Sequence, residues 1–240
     1  LLGIVNGTGG TAFTPERTLT RAEFCKMAVE LMGNGDQVPA QMNRTIFKDV
    51  PATAWYNTAV STMAKLGIVN GGSDGYFRPN DPITRAEIAA MIARCDGAYY
   101  TGTSTVFSDT YGHWAASYIA RAYELGWING YPDGTFQPNS TITRAEVTAI
   151  TNRMLGRAAD ESYVDANRPA LRQFSDLKES HWAYYHIMEA STPHSHSYDE
   201  EGNEVWEGYV VPTAQLGRLL YLSSYYSFTN YLTLIRSKPS

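Results

Sequence analysis

The chain has 240 residues, 43% of them hydrophobic, and a formal net charge of -5 at pH 7. That is enough apolar material for one large or two ordinary domains. The lack of a basic excess excludes a general nucleic-acid binder, which needs cations to release counterions, and no run approaches the roughly 18 apolar residues of a membrane span.

Aromatic residues make up 12%, with 17 Tyr and 5 Trp. Such flat amphipathic surfaces suit interfaces or sugar faces, and core packing explains many of them equally well. Cys25 and Cys95 lack the paired spacing of a zinc site and sit among apolar residues, so buried free thiols are expected, with a single bridge as the alternative. The chain opens at Leu1 with no initiator Met, which points to a processed chain or a fragment.

Self-similarity organises the rest. An apolar-Asn-Gly stop runs from Leu2 to Gly7, Leu66 to Gly71 and Leu125 to Gly130. A Gly turn with Phe and Pro follows, at Phe13 and Pro15, Phe77 and Pro79, Phe136 and Pro138. Next comes the hexapeptide, Leu19 to Phe24, Ile83 to Ile88 and Ile142 to Val147, each with Thr-Arg-Ala-Glu at its centre. Between copies lies an aromatic-x-Asp pair with a Trp: Phe47, Asp49, Trp55; Phe107, Asp109, Trp114; Phe174, Asp176, Trp182.

In chain order, the hexapeptide starts a helix with Phe24, Met27, Ala28 and Leu31 on one stripe. From Trp55, the positions Ala59, Val60, Met63 and Leu66 predict another, ended near Gly67. Ile88, Met91, Ile92 and Cys95 mark the third; Trp114, Ile119, Ala122 and Leu125 the fourth, ended near Gly126; Val147, Ile150 and Met154 the fifth. Residues 158–173 read as a polar linker. A His-rich stretch follows (His181, His186, His194, His196, near Asp199 and Glu200). His194-x-His196 could bring two imidazoles to one ion, but short His-Ser runs are usually exposed loops, so no metal ligand is assigned. The tail from Glu207 to Ser240 matches nothing upstream, fits helix and strand equally, and could be an interaction surface.

Thr20, Thr84 and Thr143 with Glu23, Glu87 and Glu146 form the two halves of a capping box, flanked by a hydrophobic staple. The arginine is not required by helix initiation, because a cation at the first helical position meets the positive end of the macrodipole at a cost of about 0.3–1 kcal/mol. Two explanations stand: pairing with an acid of the neighbouring copy, Asp49, Asp109 or Asp176, or binding an anion beside the free N–H groups.

Together these landmarks resemble the S-layer homology family over residues 1 to about 190. The resemblance implies a mostly α fold, three helix-loop-helix modules about a pseudo-threefold axis, in permuted register with a short irregular C-terminal extension. The divisions expected are 1–46 (second half of a module plus linker), 47–106 and 107–157 (modules), 158–173 (linker), 174–190 (first half of a module) and 191–240 (extension). The two halves are expected to close the ring, with the helix from Trp182 packing on the 19–32 helix.

For function, the resemblance implies a noncovalent extracellular anchor of Gram-positive-type bacteria, in the cell wall or S-layer. Its partner would be secondary cell wall polysaccharide with carboxylate-bearing pyruvate ketals, bound in grooves between modules. Arg21, Arg85 and Arg144 become candidate carboxylate contacts, and Trp55, Trp114 and Trp182 weaker candidates as sugar platforms, since a Trp at the head of a helix is more often core. Asp49, Asp109 and Asp176 complete the candidate ligand-binding set. No cofactor and no catalysis are implied: the acids recur by module, whereas an active site is usually single, and no Gly-x-Ser-x-Gly or His-Glu-x-x-His occurs. Assembly with other surface-layer proteins and hydrolysis of wall glycan are the alternative functions.

Overall fold

The computed structural model describes residues 11–31, 46–96 and 105–209. Among them are seven α-helices: α1 (Arg21–Leu31), α2 (Asn57–Lys65), α3 (Arg85–Cys95), α4 (Ala116–Glu124), α5 (Arg144–Leu155), α6 (Glu161–Asn167) and α7 (Tyr184–Ser191). A two-stranded antiparallel sheet, β1 (His194–Tyr198) and β2 (Glu204–Tyr209), follows. The mostly helical class is thus observed. The 2–7 copy of the stop motif, Met32 and the tail from residue 210 lie outside the described residues.

The chain divides into two compact units, Thr18–Ile142 and the residues before Thr18 with those from Thr143 onward. In the first, α1 packs on α2 and α3 on α4; in the second, α5 packs on α7. The second helix of each repeat therefore pairs with the first helix of the next. In the second unit α7, the helix that follows Trp182, covers α5; Ile150 and Met154 on α5 and Ile187 and Met188 on α7 are buried, and the Asn152 side chain donates to the His186 carbonyl. Residues 174–190 also meet the start of the chain, through the Phe174 ring on Phe13 and through polar bonds. Asp176 accepts from the Phe13 and Thr14 N–H groups, and the Ser175 N–H donates to the Thr11 carbonyl.

The helix starts follow the sequence. Capping boxes close α3 and α5, and at α1 the Thr20 N–H donates to Glu23 while the Glu23 N–H donates to Thr20 Oγ1. The staple residues Leu19, Ile83 and Ile142 are buried with Phe24, Ile88 and Val147. Those three leading residues also form a closed ring of backbone bonds. Leu19 N–H donates to Ile142 O at 3.2 Å, Ile142 N–H to Ile83 O at 3.2 Å, and Ile83 N–H to Leu19 O at 2.9 Å. Local helix initiation and long-range assembly thus share the same residues.

The first-helix stripes end differently from expectation. Leu66 is exposed and Leu125 half-buried, because the chain turns at Gly67 and Gly126, both at φ 72°, and buries Ile68, Val69, Trp127 and Ile128 instead. The Asn-Gly stop has a steric cause: a Cβ at Gly71 or Gly130 would overlap the ring of Phe47 or Phe107 and the carbonyl of Tyr76 or Thr135.

Residues 158–173 are not a bare linker. Asp160 caps α6 through the Tyr163 N–H, and α6 leads into a 3₁₀ turn, Arg168–Ala170. Val164 and Leu171 are buried with Tyr184, Met188 and Trp206 in a small core. Two apolar residues are too few to show a period in so short a segment, so composition alone suggested a linker. Within the His-rich stretch His186 lies in α7, and the His194–His196 run is strand β1 and not a loop, with His194 buried. Both cysteines are free, and burial pushes their thiols up to about 12.

Candidate functional site

Each of the three arginines heads its helix in one repeated pose. Arg21 Nε donates to the Phe77 carbonyl at 2.8 Å, Arg85 Nε to the Phe136 carbonyl at 2.8 Å, and Arg144 Nε to the Phe13 carbonyl at 3.0 Å. Each guanidinium lies over the same Phe ring, at 4.6, 4.5 and 4.9 Å from its centroid. Arg85 also donates to the Asn129 carbonyl and covers the Tyr131 ring, and Arg21 Nη1 ion-pairs with Glu87.

The helix N-termini are not open to an anion. The N–H of Arg21 donates to Asp81 O and that of Ala22 to Pro79 O; Arg85 and Ala86 donate to Ser140 O and Pro138 O; Arg144 and Ala145 donate to Arg17 O and Pro15 O. The third N–H in each case goes to the capping Thr. This corrects the expectation of an anion held beside free N–H groups: the donors of the first turn are satisfied by carbonyls of another repeat.

Asp49, Asp109 and Asp176 perform one shared task. Their two carboxylate oxygens accept from consecutive backbone N–H groups, Phe77 and Arg78, Phe136 and Gln137, Phe13 and Thr14, at 2.7–2.8 Å. Arg78, Gln137 and Thr14 have φ of 59°, 56° and 57°, a left-handed conformation that L-residues resist. The paired bonds fix the bend that delivers the Phe carbonyl to the arginine. In each copy the landmark Phe rings also meet: Phe47 with Phe77, Phe107 with Phe136, and Phe174 with Phe13, at 5.2–5.4 Å.

Burial acts to raise the Asp176 carboxyl, but the Phe13 and Thr14 N–H groups outweigh it, and the group titrates below the ordinary 3.8. A depressed carboxyl stabilises the fold above its unfolded pKa and loses that contribution as pH falls through the folded one. Asp176→Asn is therefore expected to melt lower than wild type at neutral pH, with the gap closing as pH falls below 3.8. Thermal melts at stepped pH check this.

The tryptophans are not core. Trp55, Trp114 and Trp182 are 62%, 58% and 58% exposed, each just before α2, α4 or α7. Histidines brace two of them: His113 Nε2 meets Asn139 at 3.2 Å beside Trp114, and His181 Nε2 meets Glu16 at 2.8 Å beside Trp182. The recurring His-Trp dipeptide at 113–114 and 181–182 was the available signal, broken at Ala54-Trp55.

A repeating helix-loop-helix module with latched arginines and exposed tryptophans defines a surface repeat. The S-layer homology domain family matches residues 2–25, 46–89 and 106–148, and the chain belongs to that family. It is 34% identical over 206 residues to a cellulosome-anchoring protein of Acetivibrio thermocellus, covering 84% of this chain and 44% of that protein. It is 32% identical over 161 residues to a surface-layer 125 kDa protein of Lysinibacillus sphaericus, covering 64% of the chain and 13% of the relative. An amylopullulanase of Thermoanaerobacterium thermosulfurigenes is 35% identical over 167 residues, 65% of the chain and only 8% of that enzyme. The chain spans less than half the length of these relatives. Cell-surface and S-layer proteins are its kin, and the part shared with an enzyme is a small portion of it.

Proposed function

We propose that the chain is a non-catalytic module anchoring its parent protein noncovalently to the cell surface, by binding secondary cell wall polysaccharide that carries pyruvate ketals. The observation that carries this reading is the tryptophan exposed at the same place in three copies. A large indole face left in water three times over is not required by packing, and it suits the apolar face of a sugar ring. The arginines supply the complementary charge, since a planar guanidinium can hold a ketal carboxylate through paired N–H groups. At Arg21 the Glu87 carboxylate already meets Nη1, so a ligand carboxylate there competes with an internal one.

Repetition about a pseudo-threefold axis belongs to the same reading. Its support is the cyclic order of the backbone bonds joining Leu19, Ile83 and Ile142.

The test is sedimentation with purified cell walls of a bacterium bearing such polymer, before and after mild acid removes the ketals. Binding should fall sharply on ketal removal. Equal binding to both preparations overturns the pyruvylated-ligand reading, and binding only to walls that retain other surface proteins would favour assembly instead.

A further inference from the structure

The hairpin β1–β2 lies beyond the segments matched by the family and carries an unusual buried cluster. Arg157, just after α5, places Nη2 where four side chains converge. His194 Nε2 lies 2.7 Å from it, His196 Nδ1 3.4 Å, Glu189 Oε1 3.0 Å and Glu204 Oε1 2.6 Å. One donor atom from each of His194, His196 and Glu204 lies within 4.8 Å of the others. Glu189 sits on α7, and its Oε2 is 3.5 Å from His194 Nε2.

Three features distinguish this from an ordinary ion pair. First, His194 Nδ1 lies 2.7 Å from the Thr192 carbonyl, so that nitrogen carries the proton and the Nε2 lone pair faces the cluster. Imidazoles that hold metals are oriented in this way, by donating their other N–H to a backbone carbonyl or carboxylate. Second, the Glu189 side chain is 0% exposed and aimed into the cluster, yet neither of its oxygens has an aligned hydrogen-bond donor; the Arg157 contact is a charge contact only. Third, two buried carboxylates face one guanidinium. A divalent ion would match their charge, whereas Arg157 neutralises only one of them.

We propose that His194, His196, Glu204 and Glu189 form a binding site for a divalent transition ion of the zinc class, with Arg157 as the internal cation occupying the ion's position. Two imidazoles and carboxylate oxygens are a donor set that zinc accepts. Zinc bonds of about 2.0–2.2 Å require the donors to close in by roughly 0.5–1.3 Å. Arg157 has a way out, since its side chain is 21% exposed. The ion would staple β1 and β2 to α7; β2 otherwise meets α7 in the small core around Trp206, and β1 is held by its pairing with β2.

The test uses the chain without a histidine tag, titrated with ZnCl2 and CoCl2 after chelator treatment. One equivalent should bind by equilibrium dialysis. Co2+ should also quench Trp206, whose ring stacks on His194 at 3.7 Å, and Trp206→Phe should remove that quenching. His196→Ala, at a half-buried position, and Glu204→Gln should each weaken zinc binding by about 10- to 100-fold. Arg157→Met should bind zinc more tightly than wild type and regain on zinc addition the melting temperature it loses in chelator. The proposal is overturned by no stoichiometric binding, by binding unchanged in both His196→Ala and Glu204→Gln, or by an Arg157→Met variant that binds no tighter than wild type.

Discussion

Arg85→Ala is expected to lower the stability of the Thr18–Ile142 unit by about 3 kcal/mol, a large fraction of a typical domain's margin. Arg85 is 8% exposed, and its removal strands two backbone carbonyls, those of Phe136 and Asn129. Charge-assisted bonds of this kind contribute about 1.5–3 kcal/mol each, and truncation also loses the cation–π contacts with Phe136 and Tyr131. Arg85→Lys should restore only part of this, because an ammonium has no planar fork to lie over the Phe136 ring while reaching its carbonyl. Denaturant melts of both variants check the order wild type, Lys, Ala. A change in Arg85→Ala of less than about 0.5 kcal/mol would show that the latch contributes no more than a surface residue.

The same latch explains what could and could not be read from one dimension. Thr20, Thr84 and Thr143 and their Glu partners are legible because a capping box closes within four residues. The arginine's partner is a carbonyl 56, 51 or 131 residues away, and no local pattern points to it. Asp49, Asp109 and Asp176 stand out as recurring acids, and pairing with an arginine is the role their charge suggests. A left-handed residue before proline is not visible in sequence, so their backbone task emerged only with Thr14, Arg78 and Gln137 at positive φ. Of the buried cluster at Arg157 the sequence offers only the His194-x-His196 pair, and the rest is illegible for a third reason. Its donors come from a helix and two strands, and β1 alternates His and Ser before Tyr198, with no aliphatic residue to announce a buried face.

Because the arginines hold the fold, the tryptophans are the cleaner probe of the ligand. Trp55→Ala, Trp114→Ala and Trp182→Ala should each weaken wall binding by about 30-fold, the roughly 2 kcal/mol typical of an aromatic anchor, if the site each belongs to is engaged. The triple variant should lose retention on walls altogether. Melting should move little, since rings more than half exposed bury too little area to matter to the core. The copies should not be equal: Trp114 and Trp182 are braced by His113 and His181, whereas Trp55 has Tyr56 edge-on at 5.2 Å instead. His181→Ala should therefore mimic part of the Trp182→Ala loss, while nothing at Ala54 can do so for Trp55. Sedimentation with intact and ketal-free walls, run beside melts of the same variants, separates contact from folding. A triple variant that melts normally and still binds as wild type would show that the exposed indoles do not meet the polymer.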